Sequence, residues 1–206
     1  YIFYLANALR DLRGDFKKHR SMLVNISRFI AVQHVIKRKV EEIHNAAYRS
    51  IKFNLSNNFK ESMKDPIIAR IYTQWKEQYS QLEFSWEKVA TALFKSMESI
   101  QIKVVNSSKS SERLVYPEND SLRVIAIGGL ALSRGLTLEG LVTSYFYRNT
   151  CTYDVLMQMG RWFGYRPRYE DLFRIWTHAD SARWYSEIAE ATDFLKADMS
   201  LMRDKK

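Results

Sequence analysis

Five short apolar runs, set between stretches of helical periodicity, constrain the fold of this 206-residue chain more than any other feature. Ser21–Ser27 (SMLVNIS), Gln101–Asn106 (QIKVVN), Leu122–Gly129 (LRVIAIGG), Leu141–Tyr147 (LVTSYFY) and Leu172–Thr177 (LFRIWT) each read as a buried strand. From Arg28 to about Ser50 the pattern is helical. Phe29, Val32, Val35, Ile36, Val40 and Ile43 recur at three- and four-residue steps, with Lys37, Lys39, Glu41 and Glu42 on the outer face. Residues 59–99 are helical in pattern, Asp65-Pro66 reads as one helix start, and Ser85 reads as the cap of the next. Thr152–Phe163 and Ser181 to about Met202 supply two more helices. Strands alternating with helices predict an α/β fold: a mostly parallel sheet with helices on both faces. Residues 1–44 and 100–206 are expected to build that sheet domain, and 45–99 to form a helical insertion. Ser107–Asp120 is the clearest loop.

Composition narrows the function classes. With 46% hydrophobic and 14% aromatic residues the chain can bury a core, which excludes a disordered reading. No run has the roughly 18 apolar residues of a membrane span, and no signal-peptide pattern is present. The lone cysteine, Cys151, excludes an internal disulfide and fits a reducing, cytoplasmic setting. The first residue is not methionine, so the chain reads as a piece of a longer protein. Its net charge of +9 is uneven, with twelve basic against four acidic side chains in residues 1–60. Arg10, Arg13, Lys17, Lys18, Arg20, Arg28 and Lys37-Arg38-Lys39 are expected to offer a basic surface to a polyphosphate such as DNA.

Two segments carry the chemistry. In the first, the Leu122–Gly129 strand ends in Gly128-Gly129, and the Ser133-Arg134-Gly135-Leu136-Thr137 turn follows. Glycines at a strand's C-terminal end admit a closely approaching ligand, and open α/β sheets bind ligands at those ends. In the second, Gln158-Met159-Gly160-Arg161-Trp162-Phe163-Gly164-Tyr165-Arg166 closes a helix with two arginines five residues apart. Arginine's planar fork suits phosphate oxygens, and an arginine donated from a second domain offsets charge growing on a transferred phosphoryl group. Trp162 and Phe163 read as packing that turn against the core, with base stacking as the other reading.

This order of strand, Arg-Gly turn, strand, helix and Gly-Arg-x-x-Gly-x-Arg resembles the second RecA-like domain of superfamily two helicases. Val124–Gly140 resembles that family's motif V, Asp154–Arg166 its motif VI, and Ser21–Arg28 takes the place of motif IV. The wording QMGRWFGYRPRYEDL, with SRGLTLEG upstream, is similar to the Z1 domain. That family is associated with helicases, carries an endonuclease label and occurs in operons with MORC-type ATPases and restriction-modification genes. The resemblance implies that Arg161 and Arg166 reach ATP held, with magnesium, by a Walker-containing partner domain. It places Gly128, Gly129, Arg134, Gly135, Gln158 and Gly160 near that nucleotide, and Ser27, Arg28 and Thr137 near nucleic acid. The chain departs from the helicase pattern at Thr137, where an acid is usual, and in the five-residue spacing of its arginines. No Gly-x-x-x-x-Gly-Lys-[Ser/Thr] occurs, so the chain alone is expected not to turn over ATP. A nucleic-acid-binding or interaction module without turnover, and an endonuclease, stand as alternatives. The nuclease reading has little to work with: the four histidines are dispersed, and Glu170-Asp171 is the nearest approach to paired acids.

Overall fold

A computed structural model describes residues 1–56, 58–106, 114–129, 138–147 and 168–203. Helix α1 (Ile2–Leu12) leads into strand β1 (Arg20–Asn25), followed by helices α2 (Ile30–Asn54), α3 (Phe59–Ser62), α4 (Pro66–Gln78) and α5 (Trp86–Glu98). Strands β2 (Ile100–Val105), β3 (Arg123–Gly128) and β4 (Leu141–Phe146) come next. A 3-10 turn (Glu170–Leu172), strand β5 (Arg174–Trp176) and helix α6 (Ala179–Arg203) close the order. The five strands form one sheet in the order β2-β3-β1-β4-β5, and every pairing is parallel. This is an α/β architecture consistent with a RecA-like fold.

Both faces of the sheet are covered, as parallel strands require. On one face Val24, Val104, Ile125 and Ile127 share a single apolar cluster with α1, α2, α4 and α5. Ile2 through Asp11 are all buried, so α1 is apolar around most of its circumference and lies between sheet and outer helices. On the other face Leu23, Val105, Ala126, Leu141 and Phe146 meet Leu138 and, from α6, Tyr185. Asp65 caps α4 as expected: its carboxylate accepts from Ile67 N at 2.8 Å and Ile68 N at 3.1 Å, with Pro66 at the first helical position. Ser85 stands at the N-cap of α5 but makes no side-chain cap bond.

Helix α2 differs from its sequence reading in two ways. It starts at Ile30 rather than Arg28 and runs unbroken to Asn54, through the expected boundary between residues 44 and 45. Its core-facing stripe is also rotated. Gln33, Ile36, Val40, Ala47 and Ile51 turn inward, whereas Phe29, Val32, Val35 and Ile43 are exposed. Counting apolar residues alone moved the stripe sideways, because one inward position carries a glutamine.

Candidate functional site

In a parallel sheet all strands end on the same edge, so the segments after β1, β3 and β4 become neighbours whatever their separation in sequence. The chain leaves β1 at Asn25 and turns through Ile26-Ser27-Arg28 into α2. Phe29 N donates to Ser27 Oγ at 3.1 Å, and Gln33 Nε2 donates to Ser27 O at 3.0 Å. Asn25 Nδ2 reaches across to Gly129 O at 3.4 Å, and Asn106, just past β2, donates to Gln33 Oε1 at 3.4 Å. Asn25 is 1% exposed and Gln33 2%, so this amide chain is an internal brace holding the turn to the sheet. Asn25 Oδ1 is buried with no partner among the described residues. Tyr147 N donates to Asn25 O at 3.0 Å, tying the end of β4 to the same place.

Ser27, Arg28, Gly128 and Gly129 therefore meet at one edge. The close approach that Gly129 permits is made by the chain itself. A Cβ there would lie 3.0 Å from Ser27 O, 3.1 Å from Arg28 Cα and 3.2 Å from Gln33 Nε2. Above this packed turn, Arg28 is exposed, with its guanidinium carbon 5.1 Å from the Phe29 ring centre. The first turn of α2 has no side-chain cap, and Ile30, Ala31 and Val32 are exposed there. Free N–H groups at a helix start, beside an arginine, attract a phosphate.

The sequence-expected basic surface is smaller than composition suggested, because two of its arginines are buried and a third is held in ion pairs. Arg20, fully buried at the start of β1, donates to Asp11 Oδ1 at 2.7 Å. Arg123, its parallel neighbour on β3, binds both Asp11 oxygens at 2.8 and 2.9 Å. Desolvation, then the Arg123 charge, lower the Arg20 guanidinium to about 10, with Asp11 opposing both. Arg10 pairs with Asp15 at 3.1 Å, and Arg13 pairs with Glu83 and Asp171. Lys17, Lys18, Arg28, Arg38 and Lys39 remain exposed, though Lys39 is paired with Glu42 at 2.7 Å.

The family model of the Z1 domain matches residues 1–206. The chain belongs to the Z1 domain family. No curated protein and no solved structure matches it.

Arg134, Gly135, Thr137, Gln158, Gly160, Arg161 and Arg166 of this Z1 domain lie outside the described residues, as do Cys151 and the helix expected over 152–163. The chain re-enters the structure at Arg168, whose backbone has φ of 77°. The stretch from Arg168 to Leu172 is pinned to α1 and to the α4–α5 connection. Arg13 donates to the Arg168 carbonyl at 3.4 Å and to Asp171 Oδ1 at 2.9 Å, while its Nε binds Glu83 at 2.6 Å. Arg10 sits 4.2 Å from the Tyr169 ring centre, and Tyr79 OH donates to Leu172 O at 2.8 Å. Asp171, though exposed, is thus an ion-pair partner. Its carboxyl and that of Glu83 are held below their ordinary values, first by the Arg13 hydrogen bonds.

The histidines are apart here too. His19 accepts from Leu122 N at 3.0 Å, His34 is exposed, His44 lies 3.3 Å from Tyr4 OH, and His178 pairs with Asp180 at 3.2 Å. Burial lowers the His44 pKa. Among the described residues no three His, Cys, Asp or Glu side chains are grouped to hold a metal ion. None of their helices is long and apolar enough to cross a membrane. Asn25, Gln33 and Asn106 were not singled out from the sequence. The signal was present for Gln33, a lone amide inside an apolar helical stripe.

Proposed function

We propose that this Z1 domain is the second motor half of a superfamily-two-like, DNA-dependent ATPase acting in DNA restriction or phage defence. Arg161 and Arg166 act as arginine fingers toward ATP and magnesium held by a Walker-containing domain outside this chain. Gly128, Gly129, Arg134, Gly135, Gln158 and Gly160 border that nucleotide, and Ser27, Arg28 and Thr137 face the DNA. The observation that carries this reading is the convergence of the Ser27-Arg28 turn, the uncapped start of α2 and the Gly128-Gly129 strand end on one edge of a parallel sheet. The space beside Gly129 is filled by the chain's own turn and is no nucleotide cradle. That favours ATP residing on the partner, with this edge bordering it rather than enclosing it and also facing phosphates of a polynucleotide.

The roles divide by position. Arg28 and the first N–H groups of α2 hold a backbone phosphate, and the Asn25–Gln33–Asn106 brace keeps their turn in place. The Arg13–Asp171 ion pair fixes where the chain emerges from the arginine-bearing segment. A nuclease assignment gains nothing from Asp171 or Glu83, because Arg13 occupies both carboxylates.

The test is ATP turnover of the parent protein with and without DNA. Arg161→Ala and Arg166→Ala are each expected to reduce turnover on the order of a thousandfold with DNA affinity nearly unchanged. Arg28→Ala is expected to weaken binding and lower the salt slope by about one. Turnover by the 206-residue chain alone, abolished by Arg161→Ala, would overturn the assignment of ATP to a partner. Loss of DNA affinity equal to the loss of turnover would favour a binding module without motor function.

A further inference from the structure

The C-terminal ends of strands β4 and β5, with the residues just past them, carry two pairs of rings. Tyr145 lies opposite Trp176 in the parallel register. Two residues further on, Tyr147 meets His178 edge to face, with ring centres 5.6 Å apart at 86°. Side chains two apart on a strand share a face and stand roughly 6–7 Å from one another, so the four rings form two successive rows. Large rings in a sheet domain are ordinarily covered, yet Tyr145 is 41% exposed, Tyr147 53% and Trp176 39%. Beside them is a hollow of about 250 Å³ reaching down to Phe3, Met22, Gln74 and Thr143.

We infer that this ring block is a base-stacking platform for single-stranded nucleic acid, continuous with the phosphate-binding edge at Arg28. The inference rests on the reading that this edge meets a polynucleotide, and it adds which form is bound. Three observations favour a strand of exposed bases over an apolar protein surface. The platform joins the candidate site directly, since the Tyr147 N–H donates to Asn25 O at 3.0 Å. Its members are four flat rings, each with a polar atom, which suits stacking on bases with a wet edge. The chain carries a net charge of +9. Arg28 is exposed three residues after Asn25, to which Tyr147 is hydrogen-bonded. Arg70 is exposed on α4, one turn before Gln74, which lines the hollow. Asp180, two residues after His178, is paired with it. A duplex hides its base faces within the stack, so rings arranged this way address unpaired bases.

Binding is measured by fluorescence anisotropy on the 206-residue chain with three probes of equal length: oligothymidylate, a strand of abasic sites and a blunt duplex. The expected result is tightest binding to oligothymidylate. Tyr147→Leu and Trp176→Leu should each weaken that complex by about five- to tenfold while leaving the abasic complex and the melting temperature unchanged. Quenching of Trp fluorescence on binding, reduced in Trp176→Leu, would place the bases at the platform. Equal affinity for oligothymidylate and abasic strand, or equal losses on both in the variants, overturns the platform while leaving the phosphate edge intact. That wider reading fails separately, when Arg28→Ala leaves all three affinities unchanged. A dimer in solution that Trp176→Asp converts to monomer would make the block a protein interface and overturn the proposal.

Discussion

The two ends of the one parallel sheet use arginine in opposite ways. At the N-terminal end, Arg20 and Arg123 begin adjacent strands, stand opposite one another in register, and share the Asp11 carboxylate in the interior. At the C-terminal end, Arg28 leaves the sheet exposed, and the interior beneath it is neutral, filled by Asn25, Gln33 and Asn106. Two like charges side by side in low dielectric are tolerable only with a shared counter-charge, so the first pair is committed to structure. A guanidinium over a neutral amide brace keeps its charge available to a ligand. Net charge sums both kinds and cannot separate them.

The largest test of this contrast is Asp11→Ala. It would leave two buried guanidiniums facing each other without a carboxylate, and is expected to cost about 3–5 kcal/mol in denaturant unfolding. Strand affinity per folded molecule should not change, because Asp11 is at the other end of the sheet. A loss below about 1 kcal/mol would mean water or relaxation compensates the charges, and the contrast with Arg28 would weaken. Gly129→Ala comes next. The new methyl group would press on the Ser27 carbonyl and Arg28 Cα, both backbone atoms that cannot rotate away. Overpacking of this kind costs about 1–3 kcal/mol, and here strand affinity should fall with stability because the displaced turn carries Arg28. Full affinity in Gly129→Ala would detach the packed turn from binding.

How much of this the sequence disclosed depends on the range over which each feature is determined. All five strands fell within two residues of their observed bounds, because buried parallel strands are apolar runs with sharp edges. The parallel arrangement then brought Ser27-Arg28 beside Gly128-Gly129 across about a hundred residues of sequence. Pairing of charges was not legible. Arg13 finds Asp171 across 158 positions and Glu83 across 70, and nothing local marks any of the three. The inward face of α2 was misjudged for a related reason: Gln33 is inside because Ser27 and Asn106 are there to satisfy it. Tyr145 and Trp176 belong to two apolar runs that read as core strands, and only the structure shows β5 at the sheet edge, β4 next to it, and both rings uncovered.

The smallest expected effect concerns Arg13, which lies between the two regimes: paired like Arg20 but partly exposed. Its hydrogen bonds hold the Asp171 and Glu83 carboxyls below their ordinary values, so both groups bind protons more weakly in the folded chain than in the unfolded one. The stability they contribute is complete above the ordinary carboxyl range, roughly pH 4, and is lost as pH falls through the lowered folded values. Arg13→Ala is expected to cost only about 0.5–1 kcal/mol at pH 7, since solvent screens a partly exposed pair. It should also flatten the acid side of the stability profile below about pH 4.5, relative to the unsubstituted chain. Urea unfolding at four or five pH values across that range decides it. Parallel profiles would mean that Asp171 and Glu83 are held by something other than Arg13. A converging pair would identify the ion-paired exit of the arginine-bearing segment as structural in the manner of Asp11, in contrast to the outward-facing Arg28.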